Sequence, residues 1–140
     1  MSVKRTILFL MPVLVVILTG CPRVIPGHTI RIDQIDMLCR GSILLIVAFQ
    51  GNEAIGNFEA EVKSTDRAEF VIPQGVAQRI DFSRPVRLFV ALKQGRSAEC
   101  FLARRNLIFE GKLIRTGTDP RSGNPIYTLN FWEDFKIEYH

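Results

Sequence analysis

Chemistry at neutral pH needs side chains whose protonation or nucleophilicity can be tuned, and this 140-residue chain offers few of them. Its two histidines are His28, just ahead of the first strand-like stretch, and the terminal His140. Neither is placed for a packed catalytic site, and His28 is expected to be solvated in a tether. Carboxylates pair as Asp33/Asp36, Glu59/Glu61 and Glu133/Asp134. On a strand, Glu59 and Glu61 share a face about 7 Å apart, a separation that two-carboxylate glycosidases use. They alternate with Phe58, Ala60 and Val62, which makes them the wet side of an amphipathic strand. The sequence holds no G-x-S-x-G, H-E-x-x-H or G-x-x-x-x-G-K-[ST] pattern and no D-x-[DN]-x-[DN]-G loop, so it predicts no enzyme, cofactor or metal site.

Binding chemistry is left. The segment Arg115-Thr116-Gly117-Thr118-Asp119-Pro120-Arg121-Ser122-Gly123-Asn124-Pro125 joins two apolar runs and carries turn-forming Gly and Pro. Arg115, Asp119, Arg121 and Asn124 are its candidate binding residues, since loops at the ends of a sheet scaffold commonly carry contacts. Arg96, Arg104 and Arg105 form a second basic patch. The net charge is +4, and without Lys4 and Arg5 the basic residues number 16 against 14 acidic ones. That excess is too small to point to a nucleic-acid partner.

The positive charges of Lys4 and Arg5 precede an apolar stretch from Ile7 to Leu18, interrupted by Pro12 and followed by Thr19 and Gly20. This is the three-part pattern of a secretory signal. It is shorter than the roughly 20 apolar residues that span a bilayer. Leu18-Thr19-Gly20-Cys21 matches the lipobox, so the first 21 residues resemble a bacterial lipoprotein precursor. The resemblance implies that residues 1–20 are a signal peptide cut before Cys21, with a diacylglycerol on the Cys21 sulfur and acylation of its new amino group. Two or three acyl chains, at about 0.8 kcal/mol per buried CH₂, hold a protein to lipid almost irreversibly. In Gram-negative members of that family Asp after the cysteine favours inner-membrane retention. Pro22 therefore leans toward an outer-membrane position facing the periplasm. Residues 21–28 read as the lipidated cysteine and a short tether, and 29–140 as one domain.

With Cys21 committed to lipid, Cys39 and Cys100 remain, and in an oxidising compartment they read as one disulfide. The hydrophobic period of the mature chain is two. Ile30 and Ile32 alternate with Arg31 and Asp33, while Ile43 to Phe49 is a continuous apolar run suited to a central strand. Further strands are expected at 58–62, 68–72, 76–82, 86–93, 98–104 and 107–114, with Gln94-Gly95-Arg96-Ser97 as a hairpin turn. A long last strand runs over 126–139, bulged or bent at Trp132-Glu133-Asp134. The pattern predicts an all-β domain, a small β-sandwich of immunoglobulin-like or transthyretin-like type, with a small β-barrel as the alternative. A disulfide between Cys39 and Cys100 would then bridge the sheets.

Together these readings predict a lipid-anchored envelope protein that binds another envelope protein without catalysing a reaction. The alternative is an inhibitor or immunity lipoprotein that blocks a hydrolase with the 115–125 loop.

Overall fold

The computed structural model describes residues 25–139. They form nine strands: β1 (Gly27–Asp33), β2 (Ile43–Gln50), β3 (Glu53–Glu61), β4 (Ala68–Pro73), β5 (Val86–Gln94), β6 (Arg105–Gly111), β7 (Arg115–Thr118), β8 (Pro125–Asn130) and β9 (Lys136–Tyr139). One sheet has the order β4-β1-β8-β7 and the other β3-β2-β5-β6-β9. The fold is an all-β sandwich. Within the sheets β1 and β8 run parallel, with Ile30 beside Tyr127, and the other pairs are antiparallel.

The period-two pattern builds the core. Ile30 and Ile32 of β1, Leu44 and Ile46 of β2, Leu88 and Val90 of β5, Leu107 of β6 and Leu129 of β8 are buried together between the sheets. Each sheet of the sandwich turns one face to this core and the other outward. Gly27 is required where β1 meets β4, because a Cβ there would lie 2.1 Å from the Ile72 carbonyl oxygen. Gln50-Gly51-Asn52 makes the β2–β3 turn, with Gly51 at φ +61°.

Strands lie where they are expected at 30–32, 43–49, 68–72 and 86–93, while those expected at 58–62 and 107–114 end earlier, at Glu61 of β3 and Gly111 of β6. Three other segments differ. The stretch 76–82 is not a strand but a short helix, α1 (Gln74–Ala77), followed by turns. Ala77 and Ile80, three residues apart, are buried on one side of it. The Gln50 side chain accepts from the Asp81 N–H at 2.8 Å and donates to the Asp81 carbonyl at 2.7 Å, so a side chain takes the place of a strand partner.

Residues 98–104 form a turn and a 3₁₀ helix over Phe101–Ala103, and 94–97 is no hairpin. The Asp36 carboxylate accepts from the Phe101 N–H at 2.9 Å, and Phe101 packs on Phe131 and Trp132 instead of extending the sheet. The final segment is two strands in different sheets, since β8 and β9 are separated by a tight turn. There Asn130 Oδ1 accepts from the Trp132 and Glu133 N–H groups, and Asp134 Oδ2 accepts from the Asn130 N–H.

Cys39 and Cys100 are bonded, 61 residues apart in sequence. The bond joins the two 3₁₀ segments, Met37–Cys39 and Phe101–Ala103, at one end of the sandwich, rather than two facing strands. Closing a loop of this length restricts the unfolded chain by about 4 kcal/mol in the chain-entropy model. Urea unfolding of the reduced protein, or of the Cys39→Ser/Cys100→Ser variant, should therefore show a stability loss of up to about 4 kcal/mol with native circular dichroism retained before the transition. An unchanged midpoint would show that the crosslink constrains nothing.

Candidate binding surfaces

The strands run between two ends of the sandwich. At one end lie the start of β1, the end of β4, the β7–β8 turn, and the 74–85 segment leading into β5. At the other lie the end of β1, both 3₁₀ segments and the β8–β9 turn. The six steps of β1 separate them by about 20 Å.

The expected loop residues gather at the first end, but they do different jobs. β7 and β8 make a hairpin, so only 119–124 is a loop. Asn124 is buried, and its amide donates to the Ile25 carbonyl at 2.8 Å while accepting from the Gly27 N–H at 3.0 Å. Both ends of that side chain are thus occupied in fastening the incoming chain, a structural role that loop composition did not reveal. Asp119 accepts from the Arg121 N–H at 2.9 Å, which with the Ser122 bonds holds its carboxyl below the usual range. Arg115 is exposed and turned onto its own strand, donating to the Thr118 hydroxyl at 2.6 Å. Arg121 is exposed and makes no side-chain hydrogen bond among the described residues. Of the four, Arg121 alone presents a charged group ready for a partner.

His28 is not a solvated tether residue. It lies within β1, its ring stacked on Phe82 with centroids 4.3 Å apart, and Nδ1 is 3.0 Å from the Tyr127 hydroxyl. Phe82 stacks on Tyr127 in turn, at 5.2 Å. Partial burial, reinforced by the Arg115 charge, pushes His28 below its ordinary value, and burial raises Tyr127. The strand parity of His28 with Ile30 and Ile32 is the signal that could have placed it. Cys21 and Pro22 lie outside the described residues.

The patch expected from Arg96, Arg104 and Arg105 is divided. Arg105 lies over the Phe101 ring at 4.4 Å and donates to the Phe101 carbonyl, whereas Arg104 is exposed. Glu59 on β3 is bound to Lys93 on β5 at 2.5 Å, so this ion pair spans β2 between them. The described residues contain no group of three or more His, Cys, Asp or Glu that could hold a metal ion.

Two further features went unnoticed in the sequence. The first is the outer face of the five-stranded sheet. On β2 the residues that point away from the core are Ile43, Leu45, Val47 and Phe49; Ala91 and Phe89 lie beside Leu45 and Val47, and Ile108 beside Phe89. All seven are half-buried, and no element of the described chain packs over them. Charged side chains border them, with Glu59 and Glu61 on β3, Arg87 and Lys93 on β5, and Lys136 on β9. The second is an open groove of about 500 Å³ at the disulfide end, lined by Asp33, Gln34, Asp36, Met37, Asp66 and Trp132 among others. Trp132 is 53% exposed and held edge-on by Phe101 and Phe131. The carboxylates there are engaged, Asp33 with Arg67 and Asp66 with Arg40, both at 2.6 Å.

Compared with protein-family models, curated proteins and solved structures, the chain matches none significantly. The site must be read from its own chemistry.

Because the folded protein holds His28 neutral more readily than the unfolded chain does, the native state binds fewer protons near its ordinary value of 6.5. The stability this provides is complete above that value and is lost as pH falls through the lower folded value. An NMR titration should give His28 a midpoint below 6.5, and Arg115→Ala should move it part of the way back. The His28→Phe variant should lose the matching slope in thermal stability between mildly acidic and neutral pH. A midpoint at or above 6.5 would contradict the buried stack.

Proposed function

We propose that this chain is an envelope lipoprotein, anchored through an acylated Cys21, that serves as a non-enzymatic docking module for another envelope protein. Lipidation rests on Leu18-Thr19-Gly20-Cys21, and the outer membrane is favoured by Pro22. Docking rests on one observation, the uncovered apolar face formed by Ile43, Leu45, Val47, Phe49, Phe89, Ala91 and Ile108. A contiguous apolar patch rimmed by charge is the usual mark of an interaction site, because leaving it in water forgoes about 25 cal/mol per Å² of burial. A flat sheet face suits a partner presenting an equally flat apolar surface, as two sheets do when they stack about 10 Å apart. The disulfide fits an oxidising compartment on the far side of the cytoplasmic membrane.

Two measurements test this reading. Metabolic labelling with a tagged fatty acid should mark the wild-type chain and leave Cys21→Ser unmarked and released from membranes; a labelled serine variant would end the anchor proposal. A photo-crosslinking residue at Leu45, Val47 or Phe89, introduced in living cells, should give a discrete protein adduct that the same residue at Val71, on the outer side of the other sheet, does not give. Leu45→Glu should abolish that adduct when the crosslinker is at Phe89, with the fold intact by circular dichroism. Adducts no stronger than the Val71 control would refute docking on this face.

A further inference from the structure

The start of β1 fixes where the chain leaves the sandwich. Asn124 grips the Ile25 carbonyl and the Gly27 N–H, and the Gln74 N–H donates to the Pro26 carbonyl at 3.0 Å. Only Pro22, Arg23 and Val24 separate Cys21 from Ile25. At about 3.3 to 3.6 Å per residue that stretch reaches at most about 14 Å. A domain of this size has a radius of gyration of about 13 Å and is roughly 35 Å across. The tether is therefore too short for the domain to turn over and lay its other end on the bilayer.

The end that must face lipid has a particular surface. The side chains of Arg84, Lys112 and Arg121 are exposed there and make no hydrogen bond or ion pair among the described residues, although the charges of Arg84 and Lys112 act on Asp81 and that of Arg121 on Asp119. Glu53 pairs with Arg79 at 3.0 Å and Glu110 with Arg87 at 3.6 Å, while Asp81 accepts from the Ser83 hydroxyl at 2.5 Å and Asp119 from the Arg121 N–H, so these five cations face four carboxylates. Ile25 is also 53% exposed beside the exit point. A surplus of exposed cations at the same end as an exposed apolar side chain is what a lipid headgroup layer accommodates.

We infer that the end of the sandwich around the chain's exit is a lipid-facing surface, where Arg84, Lys112 and Arg121 meet headgroup phosphates, while the end bearing Trp132 points away from the bilayer. This rests on the acylated Cys21 proposed above. Each cation near an anionic surface raises residence there roughly fivefold. Three of them suffice to orient a domain that its tether already holds in place. The strands then stand upright on the membrane, and the apolar face of the larger sheet is turned sideways, open to a neighbour rising from the same surface.

The single tryptophan makes the orientation measurable. The lipidated full chain is incorporated into vesicles of phosphatidylethanolamine with phosphatidylglycerol as minority lipid, doped with a phosphatidylcholine carrying a nitroxide on its headgroup. Trp132 should be quenched weakly. A tryptophan moved to the other end, Pro120→Trp in a Trp132→Phe background, should be quenched several-fold more, and that quenching should fall in the Arg84→Gln/Lys112→Gln/Arg121→Gln variant and at high salt. Equal quenching at both positions, stronger quenching of Trp132, or no response to the triple substitution would overturn the seating while leaving the anchor intact. Failure of the chain to float with the vesicles would overturn the anchor, and the seating with it.

Discussion

The structure depends on β1 being hydrogen-bonded along both edges. It pairs antiparallel with β4 and parallel with β8, so the first strand of the described residues is an interior strand. Gly27 allows the β4 backbone to approach, and Asn124 completes the ladder where the chain enters. Because β8 lies beside β1, the last third of the sequence must be in place before the first strand is satisfied on both sides. That long-range pairing is costly in chain entropy. The Cys39–Cys100 bond reduces the cost by shortening the path between the halves.

The end opposite the start of β1 is held by a compact set of polar and covalent links. Asp36 accepts from Leu38 and Phe101 N–H groups, the disulfide joins the neighbouring residues, and Phe101 in turn supports Trp132 and Phe131. Gln34 and Asp66, the two non-glycine residues with positive φ among those described, line the groove beside them. The result is a rigid end that keeps a large aromatic side chain in water. The two ends thus differ in kind, one fastened by Asn124 and backbone hydrogen bonds and the other by sulfur and aromatic rings.

How much of this was legible in the sequence follows from which interactions are local. Strict alternation at Ile30/Ile32 and Phe58/Ala60/Val62 reports a one-sided sheet, and the strands lie there. The run from Ile43 to Phe49 announces an interior strand correctly, but a continuous apolar run cannot say whether its second face is covered by the same molecule. In this fold it is not, and the surplus apolar residues become the candidate docking face. The segments 76–82 and 98–104 looked extended because their apolar residues are dense. Their conformation is decided by distant side chains, Gln50 in one case and Asp36 with the disulfide in the other, which no local pattern contains. Trp132-Glu133-Asp134 broke the alternation and did mark a disruption, though as a change of sheet instead of a bend within one strand. Among the loop residues, composition could not tell Arg121, whose exposed side chain makes no hydrogen bond among the described residues, from Asn124, whose polar atoms are used internally.

The doubly bonded first strand also governs how the domain bears mechanical load. A pull between the chain ahead of β1 and a grip on the larger sheet acts along β1, parallel to its neighbours, so its ladder bonds are loaded together in shear. A strand at a sheet's rim pulled crosswise opens like a zipper, one bond at a time. A domain built this way resists being drawn apart by a load on its amino-terminal side, with no need for greater equilibrium stability.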